Sequence, residues 1–148
     1  MIPLATAFNI TQDKVATLVP SFRARVQAWL DECRAAGLHP YVYEGLRTSK
    51  RQTELYAIGR TVQKRRTKVT NARAGQSMHQ YGLAIDFVPL VPSKAKDLWQ
   101  ADWSDKAYAP YHRLAVKHGL RRLSWETPHL EDATVADWRA AAKVYPSA

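Results

Sequence analysis

The stretch Ser77-Met-His79-Gln-Tyr-Gly82-Leu-Ala84-Ile-Asp86 sets an aspartate within an apolar run, Leu83 to Val88. A carboxylate is out of place there, because buried charges are tolerated only when paired or bound to a metal. Gly82 lets the chain bend between His79 and Asp86, so the two side chains can converge. The pair reads either as metal ligands or as a structural hydrogen bond. A second anomaly is Trp125-Glu126-Thr-Pro-His129, where Pro128 keeps the preceding residue extended. His79, Asp86 and His129 together would supply three ligands and leave the fourth tetrahedral position of a zinc ion to water, the pattern of a catalytic site. Glu126 would then be the general base. Glu131 competes for that role from the same strand face as His129; its other reading is a carboxylate that supports a ligand or sits in solvent.

The remaining histidines read as structural. His39 stands before Pro40 with no acidic neighbour. His112 and His118 share a predicted helix, but their spacing sets them about 120° apart around it. Cys33 is the single cysteine, so an intrachain disulfide and a multi-cysteine zinc site are both excluded.

These groups need elements to hold them. Phe22, Val26, Trp29, Leu30 and Cys33 fall on one face of a helix that Ser21 can cap and Gly37 can end. His39 to Leu46 and Gly82 to Pro89 read as strands, and Ser49 with Gln52 matches a capping box opening a short helix to Gly59. Residues 60–75 have no hydrophobic period and predict a long exposed loop. A helix from Ala107 to Gly119, strands at Arg121 to Trp125 and Pro128 to Leu130, and a last helix from Thr134 to Val144 complete the pattern. Helices mixed with short strands, without βαβ alternation, point to an α+β domain.

A chain of 148 residues, 46% hydrophobic and 24% charged, fits one folded domain and neither a disordered nor a collagen-like protein. No apolar run is long enough to cross a membrane. Met1 to Phe8 lacks the basic start of a Sec signal, so synthesis in the cytoplasm is expected. The net charge is +9, and almost all of it sits in residues 45–75, where Arg47, Lys50, Arg51, Arg60, Lys64, Arg65, Arg66, Lys68 and Arg73 face Glu54 alone. Such a segment suits a polyanion, either nucleic acid or an anionic envelope polymer. The absence of a nucleic-acid motif and of aromatic residues for base stacking within the loop argues against nucleic acid.

Several of these segments occur in one order: Glu44-Gly-Leu-Arg47-Thr-Ser, Gln52-Thr-Glu-Leu55-Tyr56-Ala-Ile-Gly59-Arg60-Thr61, Val69-Thr-Asn-Ala72, Gly75-Gln-Ser77-Met-His79-Gln-Tyr-Gly82-Leu-Ala84-Ile-Asp86 and Pro128-His129-Leu-Glu131. From about Val19 to Glu131 the series resembles the zinc D,D-carboxypeptidase and phage L-alanyl-D-glutamate endopeptidase family. The resemblance implies a Hedgehog-like α+β fold, a small antiparallel sheet packed against helices, as a single catalytic domain over residues 1–148. It implies one zinc per chain held by His79, Asp86 and His129, with Glu126 as base. Arg47 is implied as the substrate-facing arginine, and Ser77 as a brace of the substrate site. Many phage members carry Asp at the position of Glu126, whereas Glu occurs in the carboxypeptidase branch.

The expected activity is zinc-dependent hydrolysis of the L-alanyl-D-glutamate bond of the peptidoglycan stem by a monomeric phage endolysin, made in the host cytoplasm and acting on the wall after release. The alternatives are a D-alanyl-D-alanine carboxypeptidase and, more distantly, a basic nucleic-acid-binding module. The expected partners are bacterial peptidoglycan and, through residues 45–75, anionic envelope polymers.

Overall fold

The first helix, α1 (Leu4–Val15), has no counterpart among the elements read from the sequence. Its buried positions are Ala7, Thr11 and Val15, a stripe too small and too polar to register as a hydrophobic period. Its work is partly polar: the buried Thr11 hydroxyl accepts from Val42 N–H at 3.1 Å, closing the free edge of the first strand. The computed structural model describes all residues, Met1–Ala148.

In α2 (Pro20–Ala35) the predicted stripe of Phe22, Val26, Trp29, Leu30 and Cys33 is buried. The helix starts one residue before the predicted cap at Ser21, because Pro20 fits the first turn, where its missing N–H would have no partner anyway. Then come β1 (Pro40–Glu44) and α3 (Ser49–Ala57), where the cap is again displaced by one residue. Thr48, and not Ser49, accepts from Arg51 N–H, at 3.1 Å. Residues 60–75 form the expected loop without helix or strand. A 3-10 turn (Met78–Tyr81) leads into β2 (Ala84–Pro92). After it come β3 (Trp99–Ala101), α4 (Asp105–Lys117), β4 (Leu120–Leu123), β5 (Glu126–Asp132) and α5 (Trp138–Ala142). The last helix is shorter than predicted, since Asp137 caps it by accepting from Ala140 N–H at 3.0 Å.

All strand pairings are antiparallel, in the order β1-β2-β5-β4, with β3 pairing the far end of β2. Side chains alternate along β2, so Phe87 and Asp86 point to opposite faces. Phe87 lies under the helices, its ring 5.0 Å from Trp29, 5.1 Å from Tyr108 and 5.6 Å from Tyr111. Deleting a core ring of this kind costs about 3–5 kcal/mol. The helical layer therefore fixes β2 from one side and leaves Asp86 to the other. This is an α+β domain with a small antiparallel sheet against helices, as the sequence predicts. No helix is long and apolar enough to cross a membrane.

Candidate active site

Three elements deliver the ligand candidates. Asp86 on β2 and His129 on β5 are direct cross-strand partners. His79 comes from the 3-10 turn, which ends at Gly82 in the left-handed conformation, φ 70°; this is the bend that lets His79 fold back over Asp86. Ligating atoms of His79, Asp86 and His129 all lie within 4.8 Å of one another.

The tautomers are set from behind. His79 Nδ1–H donates to Gly45 O at 2.9 Å, which leaves Nε2 as the lone-pair nitrogen. That nitrogen is buried without a hydrogen-bond partner, 3.3 Å from Asp86 Oδ1. A lone pair cannot face a carboxylate at that distance unless a proton or a metal cation lies between them. His129 Nε2–H donates to Glu131 Oε1 at 2.8 Å and turns Nδ1 inward, 3.4 Å from Asp86 Oδ1. This second-layer bracing is what metal-ligating imidazoles require, and the donor set fits a divalent zinc. Gly45 is needed at its place for another reason. A Cβ there would meet Lys14 O at 2.6 Å, so the end of α1 packs directly on the residue that orients His79.

The charges agree with this geometry. Burial alone would raise the Asp86 carboxyl, but His79 and His129 outweigh it and hold it well below the usual range. For His129, burial opposes the charged form, while hydrogen bonds to Asp86 and Glu131 push the imidazole up to about 9. The two carboxylates favour a proton on His129, and a metal bound at Nδ1 would take that proton's place. Glu131 is lowered against its own burial by His129 and Arg121.

The two candidate bases separate cleanly. Glu131 is buried behind His129 and paired with Arg121, so it supports a ligand and has no approach to a substrate. Glu126 has a half-exposed side chain at the mouth of the site, its Oε2 3.6 Å from His129 Nδ1.

Arg47 is more deeply committed than a purely substrate-facing arginine. Its residue exposure is 8%, and its guanidinium holds Glu44 through two hydrogen bonds of 2.7 and 2.8 Å. Nη1 donates to Gln52 at 2.8 Å and Nη2 to Asp86 Oδ2 at 3.4 Å. With five N–H donors in all, a single Nη1 hydrogen is left for anything else. Arg47 is held first by Glu44 and Gln52, and from there it reaches the Asp86 carboxylate only through the longer 3.4 Å contact. Ser77 braces the turn that carries His79: its hydroxyl accepts from His79 N–H at 3.3 Å, which leaves the hydroxyl hydrogen free to donate.

Glu44, Gln52 and Arg121 belong to this supporting shell and were not among the site residues expected from the sequence. Gln52 is fully buried, and its amide donates to Ala72 O at 2.6 Å, so it ties Arg47 to the end of the 60–75 loop rather than serving a capping box. A polar residue on a short polar helix gives no sequence signal of burial. Within the basic segment, Arg60 and Arg73 lie 3.7 and 5.3 Å from the Tyr56 ring, and Arg60 also holds Thr70 O. Lys64, Arg65, Arg66 and Lys68 remain exposed at the tip.

A small antiparallel sheet carrying a buried histidine–aspartate–histidine cluster, with a carboxylate at its mouth, defines a metallohydrolase domain. The sequence profile of VanY, D-alanyl-D-alanine carboxypeptidase, matches residues 16–138, and the chain belongs to that family of peptidases. The peptidoglycan L-alanyl-D-glutamate endopeptidase CwlK of Bacillus subtilis (strain 168) is 35% identical over 105 residues, 64% of this chain and 61% of CwlK. The match thus spans about three fifths of that relative's length. Among solved structures, a variant of the vancomycin-resistance D,D-pentapeptidase VanY in complex with Zn(II) aligns at TM-score 0.59 and 22% identity, covering 86% of this chain and 78% of VanY. The L,D-carboxypeptidase DacB from Streptococcus pneumonia aligns at TM-score 0.52 and 24% identity, covering 85% of this chain and 72% of DacB. Both show the fold.

Proposed function

We propose that this chain is a zinc-dependent peptidoglycan endopeptidase that cleaves the L-alanyl-D-glutamate bond of the stem peptide. The observation that carries the metal chemistry is the buried, unpartnered His79 Nε2 opposite Asp86, with His129 Nδ1 turned to the same point. When bound, zinc supplies Lewis acidity to the scissile carbonyl and acidifies the attacking water. His79, Asp86 and His129 would hold the ion, with Arg47 in a 3.4 Å contact with the other Asp86 oxygen. Glu126 takes the proton from the attacking water and returns it to the leaving amine. The free Nη1 hydrogen of Arg47 is the one guanidinium group left to meet a substrate oxygen.

CwlK, named for L-alanyl-D-glutamate cleavage, supports the choice of bond. The alternative, removal of terminal D-alanine, is favoured by the family's own description. End-group analysis of digested sacculi tests between them. New N-terminal glutamate, with L-alanine left on the glycan, is expected; free D-alanine without new glutamate amino groups would establish the carboxypeptidase.

The exposed tip Lys64, Arg65, Arg66 and Lys68 serves, in this proposal, to hold the enzyme to anionic envelope polymers. Neutralising all four should slow lysis of whole cells, most at low salt, where screening is weakest. Cleavage of a small soluble muropeptide should stay nearly unchanged; equal losses on both substrates would place the tip in the active site. As a monomeric endolysin of phage origin, the protein would reach the wall after release from the host cytoplasm.

A further inference from the structure

We infer that His112 and Asp105, both on α4, position Glu126 by gripping Thr127; the inference rests on the reading of Glu126 as the proton carrier. Glu126 pairs with Leu123 at the start of strand β5, but the two residues that follow it are left out of the ladder. The strand's pairing with β2 ends at Asp86 opposite His129. Its pairing with β4 jumps from Arg122 opposite Leu130 to Leu123 opposite Glu126, so Thr127 and Pro128 have no ladder partner on either side. Pro128 has no N–H to offer in any case.

What ties down this gap comes from α4. His112 Nε2–H donates to Thr127 O at 3.0 Å, and Thr127 Oγ1 donates to Asp105 Oδ1 at 3.0 Å. The His112 ring cannot drift, because it is buried, stacked on Tyr108 at 5.6 Å and set edge-on to Phe87 at 6.1 Å. Thr127 is therefore anchored to the same aromatic core that fixes β2. Both sides of the site, the Asp86 ligand and the Glu126 carboxylate, take their positions from one rigid cluster around Phe87. Protonation would not loosen the clamp, since Nε2 carries a hydrogen in either state. His112 and Asp105 make no hydrogen bond to His79, Asp86 or His129 and act through the carbonyl and hydroxyl of Thr127, as positioning residues.

A displacement of about 1 Å in a reacting group can cost on the order of a hundredfold in rate. The test compares His112→Leu, His112→Gln and Thr127→Val with the wild-type chain, reading kcat, KM and metal content on a soluble stem peptide. His112→Leu should lower kcat about 10- to 100-fold with KM and metal content unchanged. His112→Gln, which restores an N–H at the same place, should recover most of kcat. Thr127→Val should lose kcat about threefold to tenfold. Wild-type kcat in His112→Leu, equal impairment of the Gln and Leu variants, or a kcat loss that follows metal loss would each overturn the inference. If His112→Leu does not fold, Thr127→Val and Asp105→Asn decide it: a kcat loss with KM and metal kept supports the clamp, and wild-type kcat overturns it.

The clamp can also be read without turnover. Amide hydrogen exchange of Thr127→Val should rise at residues 126–129 while residues 84–88 stay protected. Unchanged exchange at 126–129 overturns the clamp. Wild-type protein that holds metal yet leaves stem peptides intact, with the exchange result as expected, would count against the proposed function and not against the clamp.

Discussion

Glu126→Gln should give a protein that keeps its metal and loses turnover by about 10²- to 10⁴-fold, because the amide preserves shape and removes proton acceptance. KM should change little if Glu126, as proposed, carries the proton and does not hold the substrate. Glu131→Gln supplies the contrast. Its carboxylate accepts from His129 Nε2–H and pairs with Arg121, so the substitution disturbs a ligand's orientation. Loss of such a partner typically weakens metal binding by about 10- to 100-fold, and excess zinc should then restore the Glu131 variant. Excess zinc should do nothing for Glu126→Gln. A Glu131 variant dead at saturating zinc beside an active Glu126 variant would mean that the two roles are exchanged.

The second large effect is on the metal itself. His79→Ala, Asp86→Ala and His129→Ala should each abolish stoichiometric metal binding, and activity with it, because two remaining ligands do not make a closed set. Asp86→Ala also removes the only carboxylate common to both histidines, each within 3.4 Å of its Oδ1. His118→Ala provides the control, for His118 pairs with Glu32 on the far helix and has no part in the site. Elemental analysis decides: a full complement of zinc in the purified His129→Ala protein would refute the ligand set.

The candidate ligands were legible in the sequence because they break its local rules. An aspartate in an apolar strand and a Glu-x-x-His beside a proline are each costly unless something compensates, and the structure brings both to one point. The helix α2 was legible because its buried side chains keep the helical period, and β1 and β2 because β-branched, aromatic and continuous apolar runs mark a strand. Elements held by polar contacts were hidden. Helix α1 buries only Ala7, Thr11 and Val15 and packs its end on Gly45, contacts too few to announce themselves as a hydrophobic pattern. Glu131 could be named as a candidate, but its role depends on which nitrogen of His129 it holds, a tertiary fact. Arg47 likewise reads as a free substrate group until Glu44, Gln52 and Asp86 are seen around it, three partners spread from residue 44 to residue 86. His112 shows the same limit. Nothing in its neighbours marks it, since its meaning lies in the carbonyl of Thr127.

Zinc-dependent cleavage of the stem peptide is most directly tested by stripping the purified protein with a chelator and titrating zinc back against a defined N-acetylmuramyl pentapeptide. Mass spectrometry of the products reports the bond and the metal requirement together. Activity absent after stripping, restored as zinc reaches about one ion per chain, with N-acetylmuramyl-L-alanine and a D-glutamyl tetrapeptide as products, is the result expected here. Full cleavage by the stripped protein, or no cleavage by a chain that carries its zinc, would contradict it.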